Sequence, residues 1–355
     1  MFRNVIVNTI GCELLEHGIA FEPNSVCDCE IQHGKELKLG KPILIANYNG
    51  EQIDWEALFE IKKNRVAKQK ISTNECCEGC YALKEYKFSD TNCISYIAFG
   101  HMKLCNSRCV YCSDSHRAVA GYYDVLPIIK DLIDKDLFKN SGEVTIQGGE
   151  PTLMHNFDEL LNLFIDQKTR VRIHSSGIIM SNSIKDGIEK GLVTVVISVD
   201  SGVSETYKKI KNVDKFQEVC KTIKEYSSVV NKSNDRNLIL KYIIVPGYND
   251  TIKDIDAWFS LVDTYSVKTI AMDIDAVYAD KNKQSNVSPH VHLLMDYISY
   301  KSQLNSLNLI TYGFATYVIK SRKFVSLPII IRFRALYSLV VNLLKYFNRS
   351  KNRQY

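Results

Sequence analysis

The sequence predicts an α/β fold, a partial (β/α)6 TIM-like barrel of parallel strands, over residues 92–280. Two observations lead to this fold class. Short β-rich runs alternate with amphipathic helical segments, and polar or glycine-rich residues directly follow five of the runs. Such alternation is typical of βαβ units in a parallel sheet. A doubly wound open sheet is the alternative, since periodicity alone does not separate the two architectures.

Six runs are predicted as strands because most are continuous apolar stretches, as expected for strands that are covered on both faces. In chain order they are CISYIAFG from Cys93, EVTIQ from Glu143, RVRIH from Arg170, VTVVISV from Val193, LILKYIIV from Leu238 and VKTIAMDID from Val267. Three intervening segments have the spacing of amphipathic helices, namely Val125 to Phe138, Phe157 to Asp166 and Glu205 to Tyr226. Functional loops of parallel β/α folds lie at the carboxyl ends of strands, so we expect the polar segments to share one rim.

The regions on either side of residues 92–280 do not show this alternation of predicted strands and helices. We interpret residues 1–91 as a cysteine-rich accessory region and residues 281–355 as a helical tail. A chain of 355 residues, 45% of them hydrophobic, can bury the core of one large domain or of two smaller ones. The formal net charge of +5 is too small to indicate nucleic acid, and no such partner is expected. The N-terminal residues lack the apolar region and cleavage site of a signal peptide, which predicts a cytoplasmic protein.

The eleven cysteines point to metal or cluster ligation. Their odd number and their clustering argue against a disulfide framework. Eight of them fall into three groups, which are Cys27 with Cys29, then Cys76, Cys77 and Cys80, then Cys105, Cys109 and Cys112. The three isolated cysteines, Cys12, Cys93 and Cys220, are interpreted as small buried hydrophobic residues.

The third group, Cys105, Cys109 and Cys112, follows the first predicted strand. Three cysteines at these spacings can direct their thiolates at one iron–sulfur cluster and leave a fourth iron open for a chelating molecule. A zinc site is the alternative. Structural zinc takes four ligands, and His101 and His116 flank the loop and could complete the set.

The cysteine loop, with Tyr111 before its last cysteine, resembles the motif of the radical S-adenosylmethionine (SAM) superfamily. Gly148-Gly149-Glu150-Pro151, after the second predicted strand, is similar to the loop of that family that binds the methionine amino group of SAM. The resemblance covers roughly residues 92–276. It implies that Cys105, Cys109 and Cys112 hold a 4Fe-4S cluster whose open iron is chelated by SAM. The resemblance further implies SAM contacts from Tyr111, Gly148, Gly149, Glu150, Ser176, Ser198, Asp200 and Val245. For the serines and Asp200, capping of helices is the alternative role.

The resemblance implies an enzyme that cleaves SAM reductively and uses the 5′-deoxyadenosyl radical to abstract hydrogen from a substrate. The expected partners are SAM, an electron donor such as flavodoxin or ferredoxin, and an unidentified peptide, protein or glycan-related substrate. The sequence identifies no further catalytic residue. A non-catalytic zinc- or cluster-binding regulatory protein on the same fold is the alternative.

Both ends of the chain carry further expectations. Cys27, Cys29, Cys77 and Cys80 are predicted to hold zinc or a second iron–sulfur cluster. This region resembles the SPASM or twitch accessory modules of some radical SAM enzymes, although those modules normally follow the barrel. Residues 325–347 are both apolar and basic, and Arg332 and Arg334 disfavour a membrane-spanning helix. They predict either an amphipathic helix at the inner face of a membrane or on a partner, or a helix packed on the barrel.

Overall fold

The computed structural model describes residues 9–29, 44–47, 52–71, 77, 80, 83–89, 91–112, 123–231, 233–275, 278, 287–313 and 315–316. The described helices are α1 Glu13–His17, α2 Trp55–Ile71, α3 Leu126–Asp134, α4 Phe157–Asp166, α5 Asn182–Glu189, α6 Ser204–Lys211, α7 Phe216–Ser227, α8 Ile252–Thr264 and α9 Pro289–Leu304. Among these residues, no helix combines the length and the hydropathy that a bilayer crossing requires. The predicted tail helix at residues 325–347 and His116 lie outside the described residues.

The described strands form one large sheet and one small one. They are β1 Thr9–Gly11, β2 Gly18–Glu22, β3 Ser25–Cys27, β4 Leu44–Asn47, β5 Lys84–Tyr86, β6 Tyr96–Phe99, β7 Glu143–Ile146, β8 Arg170–Ser175, β9 Val193–Ser198, β10 Leu238–Ile244, β11 Thr269–Ile274 and β12 Asn308–Thr311. The large sheet has the order β12-β11-β10-β9-β8-β7-β6-β2-β3-β4, and β1 pairs with β5. The chain thus adds each strand of the barrel region beside the previous one.

The six predicted strands are confirmed as β6 to β11, and every neighbouring pair among them is parallel. The parallel sheet also continues at both ends, through β2 beside β6 and β12 beside β11. It therefore extends past the predicted domain boundaries at residues 91 and 281. The predicted helix over Glu205 to Tyr226 is wrong as one element, because Asn212 ends α6 in a left-handed conformation before α7 begins.

A contact across the sheet shows that it is strongly curved. Arg172 lies on β8, and Tyr312 directly follows β12, four strand positions away. On a flat sheet those positions would be about 19 Å apart, given a spacing of about 4.8 Å between strands. The Arg172 guanidinium nevertheless donates a hydrogen bond of 3.3 Å to the Tyr312 hydroxyl. The sheet is accordingly a partial barrel, and the open-sheet alternative is excluded.

The two faces of the barrel wall differ in polarity. Along β8, Val171 and Ile173 are buried, while Arg172 and His174 alternate with them and are only partly buried. Helices such as α4 and α5 pack against the apolar face. Because strand side chains alternate between faces, the charged residues of β8 point to the concave side.

Candidate functional site

Main-chain hydrogen bonds fix the cysteine loop at the carboxyl end of β6. Arg108 N donates to Lys211 O over 3.0 Å, and Val110 N donates to Ile210 O over 2.9 Å. Cys112 N closes a turn onto Cys109 O at 3.0 Å. The loop therefore packs against the last turn of α6, an element that the sequence motif does not include.

The three thiols of this loop interact electrostatically. Cys105 as a residue is exposed, yet the surrounding protein desolvates its sulfur and raises the pKa of the thiol to about 11, with smaller contributions from Glu150 and the other two cysteines. Burial also raises the pKa of Cys109, against the opposing charge of Lys211. Because cluster ligands must be thiolates, loading iron at this loop releases protons. Among the described residues, no group of three or more His, Cys, Asp or Glu side chains is arranged around one metal position, so the ligand set stays a prediction.

Gly148 and Gly149 let a second loop lie directly on the segment that leads into the cysteines. Gly149 N donates to Met102 O and Glu150 N donates to Leu104 O, both over 2.8 Å. A Cβ on Gly149 would lie 2.0 Å from the Leu104 carbonyl oxygen. Gly148 has a φ of +106°. Both positions thus require glycine for packing within the protein, whatever they contact in SAM.

Glu150 connects three loops of this rim. Its side chain is 1% exposed. The Oε1 atom accepts hydrogen bonds from the hydroxyls of Thr152, at 2.7 Å, and Ser175, at 2.9 Å, and Oε2 accepts from Ser176 N at 2.6 Å. A buried carboxylate with this many donors organises the site. Its predicted contact with the SAM amino group stays a prediction.

Asn106, inside the cysteine loop, provides a test of whether a ligand fits here. Ser176 Oγ donates to Asn106 Oδ1 over 3.0 Å, which orients the amide. The Asn106 Nδ2 donor is then buried, and it has no hydrogen-bond partner among the residues that the structure describes. An unsatisfied buried donor costs about 1–3 kcal/mol, so the site suits an acceptor that a ligand brings. A thiolate-bound cluster with SAM supplies such acceptors, and the residues present fit that group.

A buried ion pair lies on the other side of the cysteine loop. Asp200, 0% exposed, accepts hydrogen bonds from Lys211 Nζ and, at 2.6 Å, from Tyr111 OH. Ile243 N donates to its second carboxylate oxygen over 2.8 Å. These bonds hold Asp200 at a φ of +58°, a conformation that few residues other than glycine adopt. Burial alone would lower the pKa of Lys211, but the charges of Asp200 and Cys109 raise it. Lys211 was not predicted, and no sequence signal separates it from the other lysines.

The predicted adenine and ribose contacts lie next to this pair. The Tyr111 ring packs on Ile210, Ile243 and Val245. Val245 N donates to Asn249 Oδ1 over 2.7 Å, and Ser198 ends β9 in a half-buried position. The structure thus brings Tyr111, Val245 and Asp200 together, while their contacts with SAM stay predictions.

Asn249 has a role that the sequence interpretation missed. The helix that follows, α8, is capped by Thr251, whose hydroxyl accepts from Asp254 N at 3.1 Å. The Asn249 amide donates to the carbonyl oxygens of Asp200 and Ile243, each at 2.8 Å. It therefore joins the carboxyl ends of β9 and β10.

The concave side of the barrel carries a polar group of residues below this rim. Arg172 forms two hydrogen bonds to the Glu143 carboxylate, of 2.9 and 3.1 Å. Lys241 Nζ lies 3.3 Å from Asp273 Oδ2 and 5.3 Å from the centre of the Tyr312 ring. Charged residues of both signs thus face the space that the barrel encloses.

His101, the described member of the proposed zinc alternative, lies between aromatic rings. Its ring centre is 5.9 Å from that of Phe99 and 5.0 Å from that of Tyr123, and the residue is 2% exposed. Burial lowers the pKa of His101 to about 4. The ring therefore belongs to the core.

The cysteines of the N-terminal region fall in different surroundings. Cys27 is fully buried and packs with Ala20 and Ala98. Cys80 N donates to Cys77 O over 3.0 Å, which places these two on one turn, and Cys76 lies outside the described residues. Between Cys27 and Cys29, the carboxylate of Asp28 binds Lys62 and Arg65. Zinc or cluster binding by Cys27, Cys29, Cys77 and Cys80 stays a prediction.

A three-cysteine loop at the carboxyl rim of a parallel α/β barrel defines a class of proteins that bind an iron–sulfur cluster at the mouth of the barrel. Residues 99–262 match the family model of the Radical SAM superfamily. This match supports membership of the barrel region in the radical SAM superfamily, whose members use a 4Fe-4S cluster and SAM.

Two curated relatives share the name GTP 3',8-cyclase. A GTP 3',8-cyclase of Aliarcobacter butzleri (strain RM4018) is 30% identical over 145 residues, 38% of this chain and 44% of the relative. A GTP 3',8-cyclase of Vibrio parahaemolyticus is 24% identical over 187 residues, covering 50% and 56%. The chain thus spans about half the length of the curated relatives it matches. The solved structure of Streptococcus suis SuiB bound to S-adenosylmethionine is similar over 73% of this chain and 56% of its own, at 16% identity and a TM-score of 0.49.

Proposed function

We propose that this chain cleaves SAM reductively at a 4Fe-4S cluster held by Cys105, Cys109 and Cys112. When bound, the cluster supplies one electron to SAM, and the 5′-deoxyadenosyl radical released abstracts hydrogen from a substrate. The observation that carries the proposal is the unsatisfied Asn106 amide, buried inside the cysteine loop and oriented by Ser176. It marks the place where a ligand with an acceptor belongs.

The residues of the rim have distinct tasks in this function. The Gly148-Gly149 backbone and the Glu150 carboxylate hold the cysteine loop and the β8 end in register. Lys211 and Asp200 place a buried positive charge and its partner beside Cys109. Both sets of contacts exist without ligand, so the site is organised before SAM binds, and less conformational entropy is lost on binding.

The concave face supports a substrate with ionised groups. Arg172 and Lys241 offer cationic donors there, while Glu143 and Asp273 offer acceptors. Such a lining suits a nucleotide, with its phosphates, hydroxyls and hydrogen-bonding base, better than an apolar compound. GTP, the nucleotide in the names of the relatives, is therefore the first substrate to test. Peptide and glycan-related substrates, which the sequence predicts, are tested next.

The decisive experiment measures 5′-deoxyadenosine. The full chain is reconstituted anaerobically with iron and sulfide, and SAM and dithionite are added. We expect 5′-deoxyadenosine from the wild type and from Cys220→Ala, whose cysteine is buried on α7, and none from the variant in which Cys105, Cys109 and Cys112 are alanine. Zinc in place of iron, with no SAM cleavage by the wild type, would favour the regulatory alternative instead.

The substrate is tested by deuterium transfer. Deuterated GTP, or a deuterated peptide in a parallel reaction, is supplied, and deuterium in 5′-deoxyadenosine identifies the compound that loses hydrogen. For GTP, Lys241→Met should raise KM at least tenfold, while Lys253→Met on α8 should leave it unchanged. Transfer from the peptide alone would replace the nucleotide assignment.

A flavodoxin or ferredoxin as electron donor and a cytoplasmic location, with the C-terminal tail at a membrane surface, belong to the same proposal. They rest on the sequence alone. Replacing dithionite with reduced flavodoxin in the cleavage assay tests the first, and fractionation of cells that produce the full chain tests the second.

A further inference from the structure

A second group of reactive side chains lies at the opposite end of the sheet from the cysteine loop. His17 directly precedes β2, and Cys93 lies three residues before β6, so both are at the amino ends of parallel strands. Ser95 N donates to His17 O over 2.9 Å and fixes the two segments together. Cys93 Sγ then lies 3.4 Å from His17 Nδ1.

The contacts of Ser89 are compatible with a neutral His17 ring that carries its proton on Nε2. Ser89 Oγ donates its one hydrogen to Glu16 Oε1 over 2.9 Å, so at its 3.1 Å contact with His17 Nε2 it accepts. With the proton of the neutral ring on Nε2, Nδ1 is an acceptor. The Cys93 carbonyl, 3.1 Å from Nδ1, accepts a hydrogen bond when Nδ1 carries a proton. The Cys93 thiol is the donor that faces Nδ1.

The same contacts stabilise the pair after proton transfer. A protonated Nδ1 donates to the Cys93 carbonyl, and Nε2 lies 3.3 Å from Glu16 Oε2. Glu16 is 5% exposed, and Tyr86 OH donates to it over 2.8 Å. Of the described residues, Glu16 on α1 and Tyr86 on β5 are the titratable groups that these contacts place at His17. Cys93 as nucleophile thus contacts His17 as base, and His17 contacts Glu16, which orients the base.

We propose that Cys93 is a thiol-modification site that reacts with small-molecule disulfides through its pairing with His17. The thiol proton moves to His17 Nδ1, and the thiolate attacks one sulfur of the disulfide. A new S–S bond to Cys93 forms, the original S–S bond breaks, and the departing thiolate takes the proton from the imidazolium. Cys93 is oxidised to a mixed disulfide, and half of the disulfide is reduced to a thiol.

The position of Cys93 allows such a reaction. The residue is half-buried, and the preceding Thr91 and Asn92 are exposed, so a small disulfide reaches it from solvent. Cys12 and Cys220, which we grouped with Cys93 in the sequence, are buried as predicted, and neither is bonded to a histidine in the described structure. The prediction of a buried hydrophobic role is therefore wrong for Cys93 alone.

The experiment measures alkylation of each cysteine. The anaerobically reconstituted full chain is treated briefly with iodoacetamide at pH 6.5 and at pH 8.5, denatured, labelled with an isotopically heavy reagent, and mapped by mass spectrometry. Alkylation of an ordinary thiol is about fiftyfold slower at pH 6.5 than at pH 8.5, because its thiolate fraction follows a pKa near 8.5. We expect Cys93 to slow less than about threefold, and to form a mixed disulfide with oxidised glutathione first among the cysteines.

Two variants separate the pairing from general accessibility. His17→Gln should restore the fiftyfold pH dependence of alkylation at Cys93. Ser89→Ala, which keeps the hydrogen bond from Ser89 N to Glu16, should give a pH dependence between those of the wild type and His17→Gln. His290→Gln, at an exposed histidine on α9, serves as the control and should change nothing. A fiftyfold dependence in the wild type, or no difference between wild type and His17→Gln, would overturn the proposal.

Discussion

Replacing Lys211 with methionine tests the ion pair behind the cysteine loop. Lys211 is 2% exposed, and its ammonium donates to Asp200 and, over 2.7 Å, to Tyr111 OH. Methionine fills most of the space of the aliphatic stem but carries no charge. The Asp200 carboxylate, itself 0% exposed, would then keep only the donors of Tyr111 and Ile243.

The expected loss follows from the cost of an uncompensated buried charge. Removing one partner of a buried ion pair lowers the free energy of unfolding by about 3–5 kcal/mol. In the compact unit Met1–Ala315 each kcal/mol lowers the thermal midpoint by about 1.5 °C, so the midpoint should fall by about 4–8 °C. The variant should also reconstitute with less iron, because Lys211 opposes the burial that raises the pKa of Cys109.

The control for this variant lies on the same helix. Lys208 also pairs with an aspartate, Asp214, at 2.9 Å, but both side chains are largely exposed, so Lys208→Met should leave the midpoint unchanged. The double variant Lys211→Met with Asp200→Asn removes both charges and should recover part of the loss. Differential scanning calorimetry of the four proteins decides the matter. Equal midpoints for Lys211→Met and Lys208→Met would refute the reasoning.

Three further predictions concern the rim. Gly149→Ala should cost about 3 kcal/mol or more of unfolding free energy, because the new Cβ would lie 2.0 Å from Leu104 O; an unchanged denaturation midpoint would contradict this. Asn106→Ala removes a buried, unsatisfied donor and should stabilise the ligand-free chain while weakening SAM binding, both measurable by calorimetry; tighter SAM binding would argue against a ligand contact. His101, whose pKa burial lowers to about 4, binds no proton in the folded state between pH 6.5 and 4. The free energy of unfolding should therefore decrease as the pH is lowered from 6.5 to 4, by up to about 1.4 kcal/mol per pH unit. His101→Phe should flatten that dependence.

The barrel strands could be predicted from sequence because each is a contiguous apolar run that ends in polar or glycine-rich residues. The same reasoning missed β2, Gly18–Glu22, and β12, Asn308–Thr311. β12 has intermediate burial throughout and does not contrast with its flanks, whereas β2 is buried and no shorter than the predicted strands β6 and β7. Their place in the sheet is set by parallel pairing with β6 and β11, which are distant in sequence. Period and composition do not encode such pairing.

The functional site likewise contains residues that the sequence predicts and residues that it does not. Cysteine spacing and the Gly-Gly-Glu motif marked the loops of β6 and β7, because ligand chemistry restricts the residue types there. Lys211, Asn249 and Ser89 could not be found, since an ordinary lysine, asparagine or serine gains its role only through what the fold places beside it. Burial decides the role of Lys211, and burial depends on where α6 ends.

The arrangement also explains why a Gly-Gly-Glu sequence follows the second strand of the barrel. Each glycine lies against the backbone that leads into the cysteine loop, and Glu150 binds the start of the β8 loop through Ser175 and Ser176. The Glu150 carboxylate therefore joins the ends of β7 and β8, and the Glu150 main-chain N–H joins them to the segment after β6. A displacement of the β8 loop leaves the Glu150 carboxylate with fewer donors, which is costly for a buried charge. The motif is thus required to assemble the rim before any contact with SAM is considered.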